Sequence, residues 1–178
     1  MRVIAGNRKG HKLHEFSGQD IRPTTDRVKE SIFNLIQEFI PGSRTLDLFG
    51  GSGALTFEAL SRGAEYGVCV DNSDDSLAVI KRNADELNFE NLTIVKDDAV
   101  RFLKSSDEKF SVIFLDPPYN KGFISPVIGA IIKHDRLLTD GIIVLESDST
   151  DEHDEFEGLS VLKQRKYGRT YITIYQRG

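Results

Sequence analysis

The segment Ser111–Tyr119, with the sequence SVIFLDPPY, decides the fold class. Its four consecutive apolar residues, Val112–Leu115, predict a strand that is buried on both faces, which is typical of the parallel sheets of α/β proteins. An aspartate, two prolines and a tyrosine follow this strand. Because proline has a fixed φ and no N–H group, the chain has to leave the sheet in a stiff, extended turn.

The turn after this strand presents a distinctive set of polar and aromatic groups. Asp116 and the carbonyl of Pro117 are hydrogen-bond acceptors, Pro118 stiffens the turn, and the ring of Tyr119 is a flat surface for stacking. This set suits a planar group with an exocyclic amine, which has two N–H donors and a π face. Asp-Pro also ends many ordinary strands, so the segment alone leaves both interpretations open.

Length and composition indicate a single globular domain, residues 1–178. No apolar run approaches the roughly 20 residues that a membrane span needs, and Met1–Gly6 lacks the apolar region of a signal peptide. Cys69 is the only cysteine, which excludes an intrachain disulfide and a cysteine metal cluster, and the four histidines are scattered. We therefore expect a cytoplasmic protein with no membrane and no metal partner.

Positive charge is concentrated at the start of the chain. Residues 1–29 contain seven Lys and Arg against three Asp and Glu, a balance of +4, whereas the remainder contains 16 against 25, a balance of −9. A basic segment on an acidic protein is expected where one face meets a polyanion such as nucleic acid. A solvated charged arm has the same composition, so charge alone does not separate the two.

Strands and helices alternate from residue 44 onward, which predicts a parallel, doubly wound sheet. The predicted strands are residues 45–49, 66–70, 92–95, 112–115 and 141–145, and the predicted helices between them are about 54–62, 75–87, 99–104 and 125–134. Ser125 and Pro126 are expected to begin the last of these helices as cap and first residue. A tight turn joins two final strands, 159–166 and 170–176, so one strand of the seven is antiparallel.

The first 23 residues are expected to form a basic hairpin extension, and residues 24–178 the catalytic core. The hairpin pairs Arg2–Ala5 with Lys12–Phe16 around a loop that contains glycines and bases. A helix then begins near Asp26 with a threonine or Asp26 as its cap, carries an apolar stripe to Phe39 and stops before Pro41-Gly42.

Acidic residues follow the predicted strands, at the edge of the sheet where α/β proteins bind ligands. They are Asp71, Asp97, Asp98, Asp116 and Glu146, and the first strand leads into the glycine-rich turn Asp47–Gly53 (DLFGGSG). Glycines let a ligand approach the backbone at the beginning of a helix. Acids at these positions also cap the following helices in many proteins.

Two cofactors compete for the glycine-rich turn. A dinucleotide site requires a third glycine, and this chain has Thr56 there; Asp47 would also repel a pyrophosphate. An acid at position 47 suits the ammonium group of S-adenosylmethionine, while Asp71 is placed to accept from ribose hydroxyls and Asp98 from the adenine amine. We therefore predict an S-adenosylmethionine site in preference to a nicotinamide site.

The motifs together resemble the RsmD family of bacterial methyltransferases, which modify N2 of one guanine in small-subunit ribosomal RNA. The similarity covers essentially the whole chain and is carried by the two motifs above and by four further segments: Arg2–Gly6, the Arg8-Lys9-Gly10-x-x-Leu13 loop, Arg22–Glu30, and the end with Tyr171, Tyr175, Gln176 and Arg177. The acidic segment Asp148–Glu157 is poorly suited to RNA and is expected to face away from it.

This resemblance implies a Rossmann-like class I methyltransferase fold, S-adenosylmethionine as cofactor and the guanine at position 966 of 16S ribosomal RNA, or the small subunit, as substrate. The implied catalytic residues are Asp116, Pro117, Pro118 and Tyr119. The implied cofactor-binding residues are Asp47, Phe49, Gly51, Ser52, Gly53, Asp71, Asn72, Asp98 and Ala99. The implied RNA-binding residues are Arg8, Lys9, Lys12, Arg22 and Arg27.

Three other functions share parts of this pattern. DNA adenine or cytosine amino-methyltransferases use the same chemistry but usually carry an added target-recognition region. Protein-glutamine methyltransferases usually have Asn in place of Asp116. A nucleotide-binding scaffold without catalysis would have no need for the Asp116–Tyr119 turn.

Overall fold

The computed structural model describes residues 1–16, 25–119, 122–148 and 155–178. Seven strands form one sheet: β1 Arg44–Asp47, β2 Tyr66–Asp71, β3 Leu92–Lys96, β4 Phe110–Leu115, β5 Leu137–Ser147, β6 Leu159–Tyr167 and β7 Thr170–Arg177. The helices are α1 Asp26–Leu35, α2 Ala54–Ser61, α3 Asp74–Leu87, α4 Ala99–Ser105 and α5 Ile124–Lys133, and a short 3₁₀ helix covers Gln37–Phe39.

The strand order is β3-β2-β1-β4-β5-β7-β6. β1 to β5 pair in parallel, and β7 runs antiparallel to both of its neighbours. This confirms the prediction of a mostly parallel seven-stranded sheet with one antiparallel strand. One apolar cluster packs α4 and α5 on the sheet, and two others pack α1, α2 and α3 on it. Helices therefore cover both faces, as in a doubly wound fold.

The predicted start of α5, with Ser125 as cap and Pro126 as first helical residue, is wrong by two residues. The helix begins at Ile124, its N-cap is Phe123, and no side chain caps it, so Ser125 is the second helical residue and not the cap. Ile124 is buried in the cluster beneath α5. Burial of this side chain favours a helix that begins two residues earlier than the capping pattern predicts. Strand β5 also begins earlier than predicted, at Leu137, which is buried and pairs with Phe110.

The predicted N-terminal hairpin is present but short. Its ladder is a single antiparallel bridge between Arg2 and Lys12, extended by the hydrogen bonds Val3 N–H to His11 C=O (2.9 Å) and Leu13 N–H to Met1 C=O (3.0 Å). The ladder ends there because the next two amides donate elsewhere: Ile4 N–H and Ala5 N–H bond the carboxylate of Glu58 on α2, at 2.8 and 3.0 Å.

Helix α1 has the threonine cap that the sequence allowed. The Thr25 hydroxyl accepts from Val28 N–H at 3.3 Å. The helix buries Ile32 and Phe33 against the sheet and ends at Leu35, because Ile36 leaves the helical conformation at φ −117°. The stripe that was predicted to continue to Phe39 continues as the 3₁₀ helix. Within the described ranges, no helix is both long and apolar enough to cross a membrane.

Candidate functional site

A cleft of about 510 Å³ lies at the carboxyl edge of the sheet. It brings together four of the predicted sets: the glycine-rich turn, Asp71-Asn72, Asp98-Ala99 and the Asp116–Tyr119 turn. The lining residues are Phe16, Leu48, Phe49, Gly51, Asp71, Asn72, Ser76, Asp97, Asp98, Ala99, Asp116, Pro117, Pro118, Tyr119 and Phe123. Its volume falls within the roughly 300–1,000 Å³ of small-molecule sites.

The glycine-rich turn is held close beneath the cleft by its own packing. Gly53 is the N-cap of α2 and has a φ of +80°, and a Cβ there would lie 2.4 Å from the ring of Phe57, so only glycine fits. Gly50 N–H bonds the Val70 carbonyl at 2.9 Å. Ser52 is half-buried, and its carbonyl accepts from the Asn83 side chain at 2.9 Å. The turn is therefore fixed on both sides, and Gly51 is the glycine that lines the cleft.

The backbone holds Asp71 through both oxygens of its carboxylate. One carboxylate oxygen accepts from Gly51 N–H at 2.9 Å and the other from Ser73 N–H at 2.9 Å. Each carboxylate oxygen has two acceptor positions, so both keep capacity for a ligand hydroxyl. The neighbouring Asn72 is exposed and also lines the cleft.

Asp47 lies under the turn and not on the cleft wall formed by Leu48 and Phe49. Its side chain is buried, with one carboxylate oxygen accepting from Phe49 N–H at 3.3 Å and the other from the Thr56 hydroxyl at 3.2 Å. Burial raises the pKa of this carboxyl to about 7, an effect that the two hydrogen bonds only partly oppose. A cation near the turn would favour the charged form of Asp47.

Asp98 caps helix α4 and also lines the cleft. One carboxylate oxygen accepts from Val100 N–H at 3.0 Å and from Arg101 N–H at 3.1 Å. The capping role that the sequence left open is thus present, and it fixes the carboxylate beside the buried Ala99. Asp97 is paired with the Arg101 guanidinium.

The Asp116–Tyr119 turn forms the opposite wall of the cleft. Asp116 and Tyr119 are half-buried, Pro117 is buried and Pro118 is exposed. The Tyr119 hydroxyl donates to the Glu146 carboxylate at the end of β5, at 3.5 Å. Because β4 ends beside the end of β5, the turn and Glu146 share one corner of the sheet.

Two aromatic lining residues were missed by sequence reasoning. Phe123 packs edge-on against Phe49, with ring centroids 5.9 Å apart, and so joins the two walls of the cleft. Phe123 follows the Asp116–Tyr119 turn closely in the sequence, and this nearness was the available signal that it could line the cleft. Phe16 reaches the cleft from the end of the hairpin, which no local sequence pattern indicates.

The predicted RNA-binding residues divide into two groups. Lys9, Lys12 and Arg27 are exposed, whereas Arg8 is engaged with helix α3: its guanidinium donates to the Leu87 carbonyl at 2.7 Å and lies 5.1 Å from the centre of the Phe89 ring. Helix α3 begins at the cleft edge, so its C-terminus and Arg8 lie about 20 Å away, at the opposite edge. Arg22 lies outside the described residues.

The cleft fits S-adenosylmethionine by chemistry and by size. It offers an acid for ribose hydroxyls, glycine backbone that a ligand can approach, and a buried acid beneath the turn that would attract an ammonium group. Among the residues that the structure describes, no cluster of His, Cys, Asp and Glu has the arrangement of a metal site.

Known proteins are similar to this chain in both sequence and structure. The family model described as "Conserved hypothetical protein 95" matches residues 1–176. The Bacillus subtilis protein named "Putative rRNA methyltransferase YlbH" is 40% identical and covers 99% of both chains. "Ribosomal RNA small subunit methyltransferase D" of Escherichia coli is 30% identical and covers 99% of this chain and 90% of its own.

A solved structure, "Putative methyltransferase yhhF" from Escherichia coli, superposes with a TM-score of 0.91 at 30% identity, covering 99% of this chain and 97% of that one. The sheet order and the cleft thus define a Rossmann-like fold of the S-adenosylmethionine-dependent methyltransferases. Within that class, the chain belongs to the RsmD family of ribosomal RNA methyltransferases.

Proposed function

We propose that this protein transfers a methyl group from S-adenosylmethionine to the exocyclic N2 amine of a guanine in small-subunit ribosomal RNA, at position 966. The observation that carries the proposal is the shared cleft: the glycine-rich turn with Asp71 forms one wall, and the Asp116–Tyr119 turn forms the other. The relatives named as ribosomal RNA methyltransferases support an RNA substrate. A ribosomal RNA substrate implies the cytoplasm as the compartment.

The predicted cofactor residues are proposed to hold S-adenosylmethionine on the first wall. Asp71 accepts from the ribose hydroxyls, and Asn72, Asp98 and Ala99 surround the adenine. The glycine-rich turn, Phe49–Gly53, lies against the amino-acid end, and Asp47 attracts the ammonium through its charge. When bound, the cofactor supplies an electrophilic methyl group.

The residues of the second wall are proposed to act on the guanine. Its N2 lone pair is delocalised into the ring and is a poor nucleophile. Asp116 and the Pro117 carbonyl accept hydrogen bonds from the two N–H groups, which localises electron density on nitrogen and fixes its direction. Correct alignment of two reactants is worth about 7–11 kcal/mol relative to free encounter. The proton leaves to Asp116 or to water.

Tyr119 is proposed to stack on the target base after it has left its helix, as base-modifying enzymes require. Pro118 stiffens the turn that presents this ring. The exposed bases Lys9, Lys12 and Arg27, together with Arg22, are the proposed phosphate contacts, whereas Arg8 holds the end of α3. RNA binding is therefore expected to weaken with salt. The hairpin extension (1–23) and the core (24–178) act as one domain in this proposal.

The test is methyl transfer from labelled S-adenosylmethionine to small ribosomal subunits, naked 16S ribosomal RNA and DNA, compared side by side. We expect label in the RNA or the subunit and none in DNA. The Asp116→Ala variant should lose transfer while it still binds the cofactor in calorimetry, and the exposed Asp107→Ala variant is the matched control. Transfer to DNA alone, or normal turnover by Asp116→Ala, would overturn the proposal.

A further inference from the structure

The turn between β6 and β7, taken here as residues 166–171, lies at the same edge of the sheet as the cleft. Tyr171 near the start of β7 pairs with Ser147 at the end of β5. β5 in turn pairs with β4, with Leu145 opposite Leu115, the residue before Asp116. The turn and Asp116 are therefore at the same level along the sheet.

Strand spacing gives the distance between the turn and Asp116. Strands β4, β5, β7 and β6 are neighbours in that order, and adjacent strands lie about 4.8 Å apart. The backbone of Tyr171 on β7 is thus about 10 Å from that of Asp116, and Lys166 on β6, its partner in the ladder, is about 15 Å away. By contrast, Arg8 at the hairpin tip lies at the other edge of the sheet.

The turn carries positive charge on two exposed side chains. Lys166 and Arg169 are exposed, and within the described ranges neither has a carboxylate partner. Lys166 Nζ lies 5.2 Å from the centre of the Tyr171 ring, so the ring holds the ammonium group in place. Elsewhere in the sheet, bases such as Arg44 and Arg177 are paired with Glu108 and Asp135.

We propose that Lys166 and Arg169 form a second RNA-binding surface, the β6–β7 turn, which holds backbone phosphates beside the target guanine. Exposed cations next to aromatic rings are the usual means of holding an unpaired RNA segment. The surface lies on the β5 side of Asp116, whereas the proposed cofactor wall lies on the β1 side. RNA would thus enter from the side that the cofactor leaves open. This inference rests on the proposed function and names its substrate contact.

The test compares two double variants that remove the same charge. Lys166→Gln with Arg169→Gln changes the β6–β7 turn, and Lys104→Gln with Lys133→Gln changes exposed lysines in the last turns of α4 and α5, at the opposite edge. For a 16S ribosomal RNA fragment, we expect the first variant to lose about tenfold in affinity. The slope of log K against log salt should become shallower, with its magnitude reduced by about 1.4. The second variant should change neither.

The readouts separate the two proposals. In methyl-transfer kinetics, the KM for RNA should be higher in the turn variant than in wild type. Its kcat at saturating RNA should stay at the wild-type value, and so should its affinity for the cofactor. If the wild-type enzyme is active and the turn variant keeps its RNA affinity and salt slope, this inference alone is overturned. Equal losses of affinity in the two double variants would overturn it as well. A wild-type protein that neither binds nor methylates RNA would overturn the proposed function as well. Arg169→Gln alone, an exposed turn substitution, provides a second variant that tests the same surface if the double variant does not fold.

Discussion

Lys29 Nζ lies 3.2 Å from the carboxylate of Glu58, and both side chains are fully buried. The same carboxylate accepts from Ile4 N–H, Ala5 N–H and the Arg62 guanidinium, at 2.7 Å for the last. One buried acid on α2 thus holds the hairpin, α1 and the end of α2 together. Burial lowers the pKa of Lys29, and the charge of Glu58 opposes this shift.

Replacing Glu58 should cost more stability than replacing Lys29. Glu58→Gln leaves the Lys29 ammonium without its counter-charge, and breaking such a buried pair typically costs about 3–5 kcal/mol. In Lys29→Met the carboxylate keeps Arg62 and two amides, so the loss is smaller. Urea unfolding measures both, and Arg82→Gln, which removes an exposed ion pair with Glu86, should change stability by less than about 1 kcal/mol. A smaller loss in Glu58→Gln than in Lys29→Met would contradict the central role of the carboxylate.

The unfolding free energy should decrease as pH rises because of Asp47. Its pKa is about 7 in the folded protein, above its ordinary value of 3.8, so between these values the folded state holds a proton that the unfolded state has lost. The stabilisation is therefore fully present at low pH and is lost as pH rises toward 7. From pH 5.5 to pH 8 this carboxyl alone lowers the unfolding free energy by about 2 kcal/mol.

Asp47→Asn is the variant that isolates this effect. The amide cannot ionise, so the difference in unfolding free energy between the variant and wild type should move in favour of the variant as pH rises across this window. Its affinity for S-adenosylmethionine at pH 7.5 should be lower than that of wild type, because the variant lacks the charge that attracts the ammonium. A difference that is independent of pH would show that Asp47 does not titrate in this range.

Arg8 and Lys9 should respond differently to substitution, although they are neighbours. Arg8→Met removes a charged hydrogen bond to the end of α3 and should lower the unfolding free energy by about 1–2 kcal/mol. Lys9 is exposed, so Lys9→Gln should leave the melting temperature unchanged and weaken RNA binding in a salt-dependent way. Thermal melts and RNA titrations of the two variants test this. An Arg8→Met protein as stable as wild type would exclude the capping role.

The arrangement of the sheet and the cleft could be predicted because both depend on local pattern. Buried apolar runs such as Val112–Leu115 determine the strands, and strand ends in a parallel sheet share one edge, so Asp71, Asp98 and Asp116 were expected together. The cleft brings them together as the sequence indicated. The start of α5 was missed because burial of Ile124 prevailed over the capping preference of Ser125.

Two features could not be predicted because they depend on contacts distant in the sequence. Glu58 is an acid in a short helix, which usually indicates a solvent-facing position, yet its donors include residues 53 and 54 positions away. Arg8 is a base in a glycine-rich loop, which suggests a phosphate contact, yet it bonds a carbonyl 79 residues away. Charge and spacing alone do not distinguish a buried ion pair or a helix cap from a binding surface.

The most direct measurement is nucleoside analysis of 16S ribosomal RNA after reaction with wild type and with Asp116→Ala. The RNA is digested, and the methylated nucleosides are identified by mass spectrometry and located by primer extension. With wild type we expect N2-methylguanosine at a single position, and with Asp116→Ala a rate at least about 100-fold lower at unchanged cofactor affinity. A methyl group on adenine, on cytosine or on another atom of guanine would contradict the account.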